Sequence, residues 1–214
     1  IKKIAATAKK GDIFYLSQPS GIDGNLWADY STFIREMEKA DIKVLVDLAY
    51  VGLVPHAYSI DVTSPNIIAV FFSLSKSFGV YYQRIGGAFF RFAQPMMRGN
   101  IWFKNLLSLK VGTALLKSFS VFDLARRYRW AQTASINEFN SNTGLSLQPS
   151  DVILLGYSPI TPAELSHFQD PDFKGLYRGS DKVGILRINT TPSIDSFVNL
   201  NQVKTNMCQL LFAK

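Results

Sequence analysis

Lys76 stands among serines and glycines in SLSKSFGVYYQRIGG, directly after an apolar run, and Arg84 follows eight residues later. A lysine amine can form a Schiff base with an aldehyde, and the planar fork of an arginine suits phosphate oxygens. Asp47 ends a second apolar run, IKVLVD, and Tyr50 lies three residues beyond it. Arg187 sits inside GILRINTT, where a charged side chain is costly to bury unless it is paired. Plainer readings exist for each: a loop lysine, an aspartate capping the end of a strand, a half-buried aromatic and a structural salt bridge.

The elements that must position these groups are legible as short β-like runs alternating with helical patterns, which predicts a parallel sheet with crossover helices. DIFYLS (12–17), IKVLVD (42–47), NIIAVFFSLS (66–75) and RIGGAFFRF read as strands. Trp27, Tyr30, Ile34 and Met37 recur at three to four residues and mark an amphipathic helix. Ligands of open α/β sheets bind in the crevice at the carboxyl ends of the strands, so Asp47 and Lys76 are both expected to face that crevice. Beyond Arg91 the chain reads as mostly helical to about Asn140, with Gly112 and the 118–120 region as places where it could bend. PSDVILLGY and VGILRINTT read as later strands. Ile194, Phe197, Leu200, Val203, Met207 and Leu210 form the stripe of a terminal helix.

Composition narrows the function classes. With 214 residues, 47% of them hydrophobic, the chain can bury a sizeable core in one large or two small domains. Its charge of +7 is spread along the length apart from LARRYRW, which reads as the solvated face of a helix rather than a nucleic-acid contact. Cys208 is the one cysteine, so no internal disulfide forms; it reads as a small hydrophobe in a reducing compartment. No apolar run is long enough to span a bilayer, no signal peptide is visible, and a cytoplasmic location is expected. His56 and His167 have no metal-like spacing, and Walker A, Gly-x-Gly-x-x-Gly and Gly-x-Ser-x-Gly patterns are absent.

Four stretches, SQPSGIDG (17–24), DLAYVG (47–52), SLSKSFGVYYQRIGG (73–87) and GILRINTTP (184–192), occur in one order across nearly the whole chain. Together they resemble the second half of a fold-type-I, pyridoxal-phosphate-dependent enzyme of the class I/II aminotransferase kind. The resemblance implies an α/β chain: residues 1–100 as the C-terminal part of the large, parallel or mixed-sheet cofactor-binding domain, then 101–214 as linking helices and a smaller α+β C-terminal domain. It implies pyridoxal 5'-phosphate as cofactor and Lys76 as the lysine that holds it and then carries a proton. Asp47 would pair with the pyridine nitrogen, Tyr50 would donate to O3′, and Ser73, Arg84 and Ser75 would bind the phosphate. Arg187 matches the arginine that binds the substrate α-carboxylate, with Arg178 in LYRGS as the competitor in another register. No metal is implied.

Gln18 stands where the family usually has an asparagine ahead of Pro-x-Gly, and its longer amide would have to reach O3′. The family's phosphate-binding turn and ring-stacking aromatic lie upstream of that segment, and only 18 residues precede Pro19 here. The chain also begins at Ile1. The expectation is therefore a C-terminal piece whose first half lies on the same or a separate chain, most naturally in a homodimer. A half-length interaction module without cofactor, and a likeness in fold alone, are the other readings. The expected reaction is transfer of an amino group between an amino acid and a 2-oxo acid, with a lyase or decarboxylase of the same fold as runner-up.

Overall fold

The computed structural model describes residues 7–9, 11–95, 105–166, 175–179 and 184–191. Three parallel strands, β1 (Ile13–Ser17), β2 (Lys43–Leu48) and β3 (Ile67–Ser73), are joined at one edge by an antiparallel β4 (Gly86–Phe90) in the order β1-β2-β3-β4. Helix α1 (Tyr30–Lys39) crosses from β1 to β2. It turns Tyr30, Phe33, Ile34 and Met37, at positions i, i+3, i+4 and i+7, onto Val44, Val46 and Ile67 of the sheet. At roughly 1.5–3 kcal/mol for each large apolar side chain taken fully out of water, this face is the main support of α1. Asn66, itself buried, closes the helix end by donating to the carbonyls of Met37 (2.9 Å) and Ile42 (3.0 Å). Trp27, expected in the helix, lies before it and packs on Phe33 at 5.3 Å between ring centroids.

The two faces of β1 and β2 differ among the described residues. Ile13 and Tyr15 on β1 are 55% and 61% exposed, whereas Val44 and Val46 on the covered face are fully buried. Successive residues of an apolar strand thus differ in burial, which their composition alone does not distinguish.

Helices α2 (Leu106–Ser118) and α3 (Asp123–Thr143) follow. The expected break falls at 119–122, where Ser120 and Asp123 bond reciprocally: the Ser120 N–H donates to Asp123 Oδ2 at 2.8 Å and the Asp123 N–H to the Ser120 carbonyl at 3.1 Å. Gly112 does not interrupt α2; a Cβ there would stand 3.1 Å from Ile85 Cγ2, so the glycine lets α2 approach the turn before β4. A second, antiparallel sheet has the order β5-β6-β8-β7: β5 (Gln148–Pro149), β6 (Leu155–Ile160), β8 (Gly184–Asn189) and β7 (Tyr177–Gly179), with a short α4 (Pro162–Ser166) after β6. Strand β6 starts six residues later than PSDVILLGY predicts. The buried Gln132 amide of α3 donates to the carbonyls of Val152 (3.0 Å) and Leu155 (2.6 Å) and folds 150–154 into a turn. That turn is stitched to the loop after β1: the Leu26 N–H donates to Asp151 Oδ2 at 2.9 Å and the Val152 N–H to the Gly24 carbonyl at 2.9 Å. Gly24, at φ +78°, has Ser150 Oγ 2.5 Å from where a Cβ would be. The expected terminal helix, Cys208 and His167 lie outside the described residues.

Candidate active site

The parallel run of β1–β3 brings their carboxyl ends to one edge. Ser17 lies opposite Asp47, and the Gln18 N–H donates to the Asp47 carbonyl at 2.9 Å. Because β4 runs antiparallel, its start returns to the same edge: Gly86 pairs with Ser73, and the Leu74 N–H donates to the Ile85 carbonyl at 2.9 Å. This return explains the spacing of Lys76 and Arg84, which occupy the two limbs of one turn.

Lys76 lies in that turn, closed by Phe78 N–H to Leu74 carbonyl (3.1 Å) and Gly79 N–H to Lys76 carbonyl (3.2 Å). Its half-buried ammonium sits 4.3 Å from the centroid of the Tyr50 ring. Burial lowers its pKa from the ordinary 10.5; the Asp47 carboxylate opposes that shift and the Arg84 charge adds to it. Tyr50 is held close by its own loop. Ser77, buried beside Lys76, donates its hydroxyl to the Val51 carbonyl, and Gly52, at φ +82°, packs against the backbone of Val121.

The Asp47 carboxylate has two donors: the Ala49 N–H to Oδ1 at 2.8 Å and the Tyr15 hydroxyl to Oδ2. Tyr15 is in turn pushed up to about 12, by burial of the phenol and by the neighbouring Asp47 charge. Arg84 is exposed in the left-handed region at φ +50°, uncommon for a residue with a side chain. Ser75 is buried; its Oγ accepts from the Ile85 N–H (3.1 Å) and lies 3.4 Å from the Ile85 carbonyl. Ser73 Oγ accepts the Ser75 N–H at 3.2 Å. The Gln18 amide is buried and engaged at both ends by Trp27, accepting from its N–H (3.1 Å) and donating to its carbonyl (3.4 Å).

Arg187 arrives from the second sheet. It lies in β8, donates Nη1 to the Gly21 carbonyl, and lines a cleft of about 230 Å³ with Tyr50, Lys76, Tyr81 and Asn189. Arg178 does not line that cleft; its Nη1 donates to the carbonyls of Gly175 (2.7 Å) and Tyr177 (2.8 Å) beside it. Lys76, Tyr50 and Arg187 thus share one cavity, and Asp47 and Arg84 act on the Lys76 charge. Sequence reasoning missed Tyr15, Ser77, Tyr81 and Asn189. For Tyr15 a signal existed: at period two it shares a strand face with Ser17, which sits opposite Asp47. Among the described residues no group of three or more His, Cys, Asp or Glu could hold a metal ion, and no helix is long and apolar enough to cross a membrane.

No protein-family model matches the chain, and no curated protein sequence matches it. Solved structures do. A PLP-bound C-S lyase from Staphylococcus hominis matches with a TM-score of 0.68 at 14% identity, over 95% of this chain and 59% of its own. A tryptophan-bound tetra mutant of Thermus thermophilus aspartate aminotransferase matches at 0.64 and 12%, over 92% and 59%. An L-threonine-O-3-phosphate decarboxylase from Porphyromonas gingivalis matches at 0.58 and 17%, over 94% and 67%. The chain has the fold of the pyridoxal-phosphate-dependent aminotransferases of fold type I. It spans between 56% and 67% of the length of the solved chains it matches, consistent with the C-terminal half of that fold.

Proposed function

We propose that this chain carries the lysine-bearing half of a pyridoxal-phosphate site and serves transfer of an amino group between an amino acid and a 2-oxo acid. The observation that supports this reading is the shared cleft of Lys76, Tyr50 and Arg187, with Asp47 beside the lysine. The residue set suits the cofactor: a half-buried amine whose charge is disfavoured, a carboxylate fixed by two donors, and an exposed guanidinium on the same turn. Pyridoxal phosphate, when bound, supplies an aldehyde and an electron-withdrawing ring that stabilises negative charge at a substrate Cα.

Lys76 would hold the cofactor and then move a proton at the substrate Cα, a task helped by its lowered pKa. Asp47 would accept from the pyridine N–H, and Tyr50 would donate its hydroxyl to O3′. Arg84 and Ser73 would bind the phosphate, with Ser75 shaping their turn from within. Arg187 would fix the substrate carboxylate through its fork. Gln18 would have to exchange its Trp27 partner to reach the ring.

The antiparallel sheet with its preceding helices supports a smaller C-terminal domain over 101–214, after a large-domain portion over 1–100. The fraction of the solved chains left unmatched supports an N-terminal half on the same or a separate chain. A homodimer with amino-acid and 2-oxo-acid substrates completes the proposal. A lyase or decarboxylase is the second reading, favoured by the C-S lyase and decarboxylase among the matching structures. The test is borohydride reduction of the native protein with peptide mapping: a phosphopyridoxyl group on Lys76 is expected. An unlabelled Lys76 in folded native protein given pyridoxal phosphate would overturn the proposal in favour of a cofactor-free module. Appearance of the amino group on an added 2-oxo acid separates transfer from lyase chemistry.

A further inference from the structure

Tyr15 on β1 carries a hydroxyl that none of the roles proposed above uses. It is 61% exposed and belongs to none of the buried apolar clusters formed by the described residues. Its hydroxyl bond crosses to the neighbouring strand, at Asp47 Oδ2.

We propose that Tyr15 is a positioning residue for the Asp47 carboxylate, fixing Oδ2 while the Ala49 N–H fixes Oδ1 at 2.8 Å. This rests on the cofactor reading above. An ionised carboxylate has about four acceptor sites. With one donor on each oxygen, Asp47 loses its rotation about the Cβ–Cγ bond yet keeps a free acceptor site for a protonated ring nitrogen. Without Tyr15, one backbone N–H alone would orient it. The charged and titratable groups bearing on this pair are Lys76, from the turn after β3, and Arg84 through Lys76. Neither donates to Asp47, so the phenol is its only side-chain donor among the described residues.

Tyr15→Phe keeps the ring and removes only the donor, so the protein should still unfold cooperatively in urea, with its midpoint lowered by no more than the loss of one hydrogen bond. The decisive measurement is a double-mutant cycle of Tyr15→Phe, Asp47→Asn and the pair, read as Kd for pyridoxal phosphate in the full native protein. Tyr15→Phe should weaken binding about tenfold with Asp47 present, the scale of one hydrogen bond to a charged group, and less than about twofold in the Asp47→Asn background. Equal losses in both backgrounds would overturn the proposal. A second readout needs no cofactor: the Tyr15 phenol, isolated as the wild-type minus Tyr15→Phe absorbance difference, should titrate near 12 and move toward 10.0 in Asp47→Asn. An unmoved midpoint would also overturn it. The two readings fail separately: an unlabelled Lys76 in wild-type protein sinks the cofactor role, whereas a labelled Lys76 with wild-type affinity in Tyr15→Phe sinks only the role of Tyr15.

Discussion

Gly52 and Gly79 flank the site, both with positive φ, and substituting each with alanine separates backbone strain from steric crowding. Gly79 is at φ +66° with open space around it, and Gly52 at φ +82° with Val121 O 2.5 Å and Ser77 Oγ 2.9 Å from a built Cβ. For Gly79→Ala, a left-handed cost of about 1–2 kcal/mol is offset by about 0.4–1 kcal/mol from the less flexible unfolded chain. The net loss is about 0.5–1 kcal/mol. Gly52→Ala carries the same balance plus about 1–3 kcal/mol of overpacking, because a backbone oxygen cannot swing aside as a side-chain tip can. Urea unfolding reads the difference: at a slope of about 2 kcal/mol per molar, the Gly52→Ala midpoint should lie about 0.5–1.5 M below that of Gly79→Ala. The same substitution presses on Ser77, whose hydroxyl ties the Lys76 turn to the Tyr50 loop, so Lys76 labelling should fall as well. Midpoints within about 0.2 M of each other, on the same slope, would refute the reasoning that the tight approach at Gly52 holds the two loops together.

Other outcomes follow from the same geometry. Lys76→Ala should abolish turnover while leaving the unfolding midpoint near wild type; retained activity would end its assignment. The Tyr58 hydroxyl is buried with no hydrogen-bond partner among the described residues, and burial pushes it up to about 12. Tyr58→Phe should therefore stabilise the protein by about 1 kcal/mol, and a loss of stability would point to an ordered partner there. Because the folded pKa of Lys76 is lowered, the unfolded chain holds the extra proton between that value and 10.5. Stability should rise with pH across that window relative to Lys76→Met, and a flat difference would contradict the burial of the amine. Overall stability, in wild type and Lys76→Met alike, should fall with pH between about 10 and 12, since Tyr15, Tyr30 and Tyr58 keep their protons to about 12 only when folded.

What was legible in the sequence and what was not divide along a physical line. Periodicity carried the strands and α1, because burying Phe33, Ile34 and Met37 requires the spacing that the residues display. Residue type carried Lys76 and Asp47, because polar groups directly after apolar runs mark strand ends. The start of β6 was hidden, since it depends on a buried glutamine on α3, and no local pattern in PSDVILLGY records that. The unequal burial of Ile13 and Val44 was hidden for a similar reason: the two are equally apolar, and only what packs against each distinguishes them. Gly112 marks in the sequence a place where the helix could bend, whereas in the structure its missing Cβ serves the approach to Ile85.

Tyr15 shows why the supporting residues of a site are harder to read than those that would act. Lys76, Asp47 and Arg187 are conspicuous because a charge at the end or in the middle of an apolar strand is costly and needs a reason. A tyrosine in DIFYLS needs none, as aromatics are ordinary strand residues. Its link to Asp47, 32 positions along the chain, exists only through the parallel register that sets Tyr15 against Leu45 and Ser17 against Asp47. The same holds for Ser77 and Gly52, whose types are commonplace and whose partners, Val51 and Val121, are backbone atoms. A site assembled at the ends of parallel strands thus discloses its charged groups through composition, while the groups that orient them are disclosed only by register.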